Sequence, residues 1–123
     1  RACASAVSDL LNASAVAVDI EGIDLCRTGK ICLIQIASPA GRTMLFDIAA
    51  MGSKAFSEGQ LKLLLESSSV QKLIFDGRAD NDALAAQYGF IMRNAYDIQI
   101  LQMLRFTHPR GQGLADPQHV KGL

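Results

Sequence analysis

The chain has no tryptophan, only two histidines and three prolines, and no excess of charge of either sign. Its three cysteines, Cys3, Cys26 and Cys32, are odd in number and never stand in a C-x-x-C spacing. That argues against a disulfide framework and against a structural zinc site, and makes a reducing, intracellular compartment the expectation. Lys plus Arg and Asp plus Glu are both 12, for a formal net charge of zero. A uniformly basic surface is excluded, so nucleic acid would have to be met through a local patch or through metal ions facing phosphate. No apolar run approaches the roughly 20 residues that cross a bilayer, and no membrane partner is expected. His108 and His119 lack Ser, Cys and acid partners at telling positions and read as surface-loop histidines. No Walker or G-x-G-x-x-G loop occurs. No signal peptide is visible behind Arg1, and a chain without Met at position 1 is expected to be a piece of a longer protein.

What is present is a core. Half of the 123 residues are hydrophobic, enough for one domain and no more. A short helix is expected over Ser5–Asn12, with Val7, Leu10 and Leu11 on one face. Ala15–Glu21 reads as a strand that Gly22 ends. Ile31–Ala37 is an almost continuous apolar run, expected to be a strand covered on both faces. Thr43–Ile48 is a third strand. The short turns between these three predict an antiparallel meander. Ser57 and Gln60 fit a capping box ahead of the apolar face Leu61, Leu64 and Leu65. Lys72–Asp76 is a fourth strand, reached through a helix and therefore parallel to the first. A helix over Ala79–Tyr88 ends at Gly89, where a left-handed glycine belongs. Ala95–Asp97 is a fifth strand, and Asp97 caps a helix over Ile98–Arg105. The residues from Thr107 onward read as loop and a short polar segment. The order predicts an α/β domain with a mixed sheet, an antiparallel three-strand meander plus parallel strands, flanked by helices.

The chemistry-bearing residues are acids. Strand side chains alternate, so Val16, Val18 and Ile20 fall on one face and Ala17, Asp19 and Glu21 on the other. Two carboxylates side by side on an apolar strand are costly without a positive charge between them. The plainer reading is one solvent-facing acid and one strand-end acid. If the fourth strand lies beside the first, Asp80 can turn toward the pair, at the carboxyl ends of the strands where ligand sites of open α/β sheets collect. Asp76, Asp80 and Asp82 are equally accounted for by the preference of helix first turns for acids. Three carboxylates around one point call for magnesium or manganese, not zinc. Two such ions can activate a water and stabilise the leaving oxygen of a phosphodiester. Arg78 and Lys30 are candidate phosphate contacts. Arg27 is expected to be a solvated loop charge. Phe46 and Phe75 are expected in the core.

The same residues carry a resemblance. Val18–Leu25 followed by Gly29–Ala37 resembles the first motif of the DEDD 3′–5′ exonucleases. Lys72–Leu84, with its D-x-R-x-D-x-D-A-L form, resembles the second, and Tyr96–Leu101 the Asp-Thr segment that follows it. The E-G-x-D-L extension is similar to the Egalitarian-like branch, near ribonuclease D. The resemblance runs from about Ala15 to Leu104. It implies a ribonuclease H-like fold and magnesium- or manganese-dependent release of nucleotides from a 3′ end, of RNA rather than DNA. It also implies that Asp19, Glu21 and Asp80 are metal ligands and that Asp97 supports them.

One departure stands beside the resemblance. The family's fourth ligand follows a Tyr or His four residues before an Asp, and no such pair occurs in this chain. His119–Leu123 resembles the linker ahead of that motif. The two-metal site is therefore expected to be incomplete here, the 123 residues to be a C-terminally incomplete single domain, and this fragment to be weak or inactive. A non-catalytic RNA- or protein-binding scaffold on the same fold is the alternative reading.

Overall fold

A computed structural model describes residues 1–107. The expectations for His108, His119 and the segment 119–123 lie outside the described residues. The chain opens with α1 (Ala2–Leu11) and continues through β1 (Ala15–Ile23), β2 (Lys30–Ala37) and β3 (Thr43–Asp47). A short α2 (Ile48–Met51) runs into a 3-10 turn (Gly52–Ala55), then α3 (Leu61–Glu66) and β4 (Gln71–Ile74). α4 (Arg78–Tyr88), β5 (Ala95–Asp97) and α5 (Ile98–Thr107) follow.

The five strands form one sheet in the order β3-β2-β1-β4-β5. β1–β2 and β2–β3 are antiparallel, whereas β1–β4 and β4–β5 are parallel. This is the expected meander with parallel additions. The core lies on one face, where Val16, Val18, Ile20, Ile34, Ile36, Phe46 and Ile74 meet Val7 and Leu10 of α1, Leu61, Leu64 and Leu65 of α3, and Ala83 and Leu84 of α4.

Several local expectations are corrected. β2 is not covered on both faces. Ile31, Ile34 and Ile36 are buried, but Cys32, Leu33, Gln35 and Ala37 are only half-buried. A bulge explains the odd spacing. Glu21 pairs with Leu33 and Gly22 with Ile31, so Cys32 is the extra residue and Ile31 returns to the core face. Gly22 does not end β1. A Cβ there would come within 2.2 Å of the Lys30 carbonyl oxygen, so glycine is needed for the close approach of β2.

The capping box does not form. Ser57 Oγ donates to the Ser53 carbonyl at 3.2 Å, because the 3-10 turn brings that carbonyl back beneath it. Gln60 enters α3 in a left-handed conformation instead, with φ 61°. Phe75 is not in the core. β4 ends at Ile74, and Phe75 lies just past it, 60% exposed. Lys72 is fully buried on the core face of β4, and its ammonium donates to the carbonyls of Ser67 and Val70. No described helix is long and apolar enough to cross a membrane.

Candidate active site

The site begins with the alternation of β1. Val16, Val18 and Ile20 are buried, whereas Ala17, Asp19 and Glu21 emerge on the opposite face. β4 pairs only with Ala15–Ala17, so Asp19 and Glu21 stand beyond its C-terminal end. That is where the connection from β4 to α4 starts. Directly across from Asp19 in the antiparallel ladder is Gln35. Its Nε2 donates to Asp19 Oδ2 at 3.1 Å.

The β4–α4 connection is held by Asp97. Its Oδ1 accepts from the Asp76 and Gln99 backbone N–H groups at 3.0 Å, and its Oδ2 accepts from Gly77 at 3.1 Å. One side chain thus caps α5 and fixes the turn that launches α4. The cap was expected, and the contact with the β4–α4 turn is a second one made by the same carboxylate. Burial pushes the Asp97 carboxyl up, but the backbone N–H groups of Asp76, Gly77, Gln99 and Ile100 outweigh it and hold the group below the usual carboxylate range. Asp76 is left-handed, with φ 53°. Gly77 packs directly on Ile74, whose Cδ1 would lie 2.3 Å from an added Cβ and would have to move. The turn is therefore tight, and it delivers Asp80 in the first turn of α4.

Asp80 is only 7% exposed, unlike a solvated acid that merely complements a helix dipole. Its carboxyl is pushed up to about 6, first by burial and then by the negative charges of Asp19, Glu21, Asp76 and Asp97. The fold therefore brings Asp80 into the field of the two β1 acids. Among the described residues, no group of three or more His, Cys, Asp or Glu side chains stands in an arrangement that could hold a metal ion. The donors fit a hard divalent cation in kind and in charge. All are carboxylate oxygens, one is buried, and their mutual repulsion is what a cation would relieve.

The surroundings divide into contacts and free groups. Arg27 is not merely solvated: it forms a two-point ion pair with Asp82 at 2.7 and 3.2 Å. That pair ties the β1–β2 turn to α4. Gln87 does the same, accepting from Ile31 N at 3.1 Å and donating to the Cys26 carbonyl at 3.0 Å. Arg78 opens α4 with its side chain 88% exposed and a 3.3 Å contact to Asp76 Oδ1. It lines an open groove of about 450 Å³ with Cys26, Asp76, Ala79 and Asp82. Lys30 is exposed at the start of β2, away from that groove's lining.

Gln35 and Gln87 were not singled out in the sequence. For Gln35 a signal existed: a lone amide in the apolar run Ile31–Ala37, on the residue parity that β2 leaves half-covered. Gln87 pairs with residues 56 and 61 positions away, and no local pattern shows that.

Comparison with known proteins follows the same outline. The family described as 3′–5′ exonuclease matches residues 1–116. The piRNA biogenesis protein EXD1 of Mus musculus is 40% identical over 98 residues, covering 80% of this chain and 17% of that protein. Its Homo sapiens counterpart is 36% identical over 107 residues, covering 87% of this chain and 20% of that protein. The chain thus spans about a fifth of the length of these curated relatives. The crystal structure of Trypanosoma brucei RNase D in complex with RNA U12 superposes with a TM-score of 0.74 at 30% identity, covering 84% of this chain and 36% of that one. Escherichia coli RNase D matches in fold, with a TM-score of 0.73 at 23% identity over 93% of this chain and 29% of that one. The mixed sheet with flanking helices is the ribonuclease H-like exonuclease fold.

Proposed function

The chain belongs to the 3′–5′ exonuclease family, and from that premise we propose that the full-length protein is a divalent-cation-dependent exonuclease that shortens RNA from its 3′ end. What supports this reading is the burial of Asp80 within the field of the β1 acids: its carboxyl is pushed up first by burial and then by the negative charges of Asp19 and Glu21, with Asp76 and Asp97 behind them. Asp19, Glu21 and Asp80 would hold magnesium or manganese. Such ions, when bound, supply an activated water and neutralise charge on the leaving oxygen of a phosphodiester.

The remaining residues position and contact. Asp97 holds the Asp76–Gly77 turn, so the backbone that carries Asp80 keeps its place relative to β1. Arg78, exposed and lining the groove, would contact phosphate of the bound strand, and Lys30 would be a second cation for the same backbone. The RNA preference rests on the relatives: a ribonuclease D solved with RNA, and proteins named for piRNA biogenesis.

A second reading has one observation in its favour. No described acid cluster is arranged to hold a metal ion, which suits an RNA- or protein-binding scaffold on the exonuclease fold. Digestion separates the two. Full-length protein with manganese is expected to release mononucleotide from 3′-labelled RNA and to leave a ladder of shortened products from 5′-labelled RNA. Asp19→Asn is expected to abolish both. Undigested RNA with the wild type, or unchanged digestion with Asp19→Asn, contradicts the enzyme reading and favours the scaffold.

A further inference from the structure

We infer that Gln35 is a positioning residue for this site, an amide donor that sets the orientation of the Asp19 carboxylate so that its free oxygen is presented to a divalent cation. The inference rests on the exonuclease reading of the acids and adds to it a residue outside the acid set.

The geometry is direct. Asp19 and Gln35 are opposite residues of an antiparallel ladder, so their Cα positions are fixed by the backbone. Both project on the sheet face away from the core, and Nε2 reaches Oδ2 at 3.1 Å. An exposed aspartate on a strand is otherwise free to turn about χ1 and χ2. The amide holds one oxygen, and among the described residues Oδ1 takes no hydrogen bond. It does so without adding charge. A lysine or arginine at position 35 would also reach Asp19, but it would neutralise the carboxylate and compete with a cation for it. On its other side Gln35 pairs with Leu45 of β3, whose side chain offers no donor or acceptor to draw the amide away. Carboxylates that bind metals are themselves commonly hydrogen-bonded, and loss of such a partner costs about 10–100-fold in affinity or activity.

A plain cross-strand contact is the competing explanation, and metal affinity separates the two. The test is titration of the full-length protein with manganese, reading free Mn²⁺ by its paramagnetic resonance signal. Wild type, Gln35→Met, Asp19→Asn and the double variant are compared, with Gln35→Leu as a second substitution. Methionine keeps the length and removes the donor. Gln35→Met and Gln35→Leu are expected to weaken manganese binding about 10–100-fold. In the Asp19→Asn background the same change is expected to have little further effect, since the residue acts through Asp19. Melting in metal-free buffer is expected to shift by no more than a few degrees. Unchanged affinity in both single variants overturns the inference while leaving the exonuclease reading intact. So does an equal loss in both backgrounds, which marks a general structural defect. If the wild type itself binds no manganese, the exonuclease reading fails, and the inference fails with it.

Discussion

Asp80 shows what a single side chain can report. Its carboxyl is raised to about 6, first by burial and then by the negative charges of Asp19, Glu21, Asp76 and Asp97. In an unfolded chain it would titrate near the ordinary value, about 4. Below that value both states carry the proton and stability is unaffected. Between about pH 4 and 6 the folded state keeps the proton longer, so metal-free stability falls as pH rises through this window. Above about 6 the charged group remains as a standing cost, on the order of 3 kcal/mol. Asp80→Asn is therefore expected to stabilise the metal-free protein at pH 7.5 by about 1–3 kcal/mol in urea unfolding while abolishing digestion. Loss of stability in that variant would contradict the electrostatic account. The sequence showed Asp19 and Glu21 on one face through simple alternation. It left Asp80 balanced between a dipole-friendly acid and a ligand, because its burial is a tertiary fact that no local pattern shows.

Elements set which predictions survive. The end of α4 at Gly89 and the cap of α5 at Asp97 were legible, since each depends on a few neighbouring residues. The false capping box at Ser57 failed for the complementary reason: a preceding 3-10 turn offered its hydroxyl a nearer carbonyl. Phe75 was misplaced because the fourth strand was read one turn of the pleat too far. Two substitutions probe the elements directly. Asp97→Ala removes the acceptor for three backbone N–H groups and is expected to cost about 1–3 kcal/mol of stability, measured by denaturant unfolding. Digestion should fall with it, because the turn that presents Asp80 loosens. Burial pushes the Lys72 ammonium below its usual range, yet the group also satisfies two carbonyls. Lys72→Met keeps the packing but leaves the Ser67 and Val70 carbonyls without that donor, at an expected cost of about 1–3 kcal/mol. An unchanged midpoint would show that water replaces the ammonium.

For the whole molecule, topology and charge work together. The sheet order places β1 beside both β2 and β4, so Gln35 from one neighbour bonds Asp19, and α4, which follows the other, carries Asp80 into the field of Asp19 and Glu21. The directions of the first four strands were legible from connection lengths, but the place of β4 and β5 in the sheet, and contacts such as Arg27 with Asp82, 55 residues apart, were not. A chain with formal net charge zero has no uniformly basic surface to draw RNA, which leaves a local patch or cations held by the acids to meet phosphate. Chelation with EDTA is expected to weaken RNA binding by the full-length protein at least about tenfold, more than a modest rise in salt does. The reverse order would point to a basic surface as the main contact.

The most direct measurement is the titration of the Asp80 carboxyl by ¹³C NMR, with and without magnesium. Without the cation the midpoint is expected near the raised value of about 6. With saturating magnesium it is expected to fall well below the ordinary carboxylate range, as a cation shared by Asp19, Glu21 and Asp80 favours the charged form. A metal-free midpoint near 4, or one that magnesium does not move, would contradict the claim that these three acids form one cation-binding site.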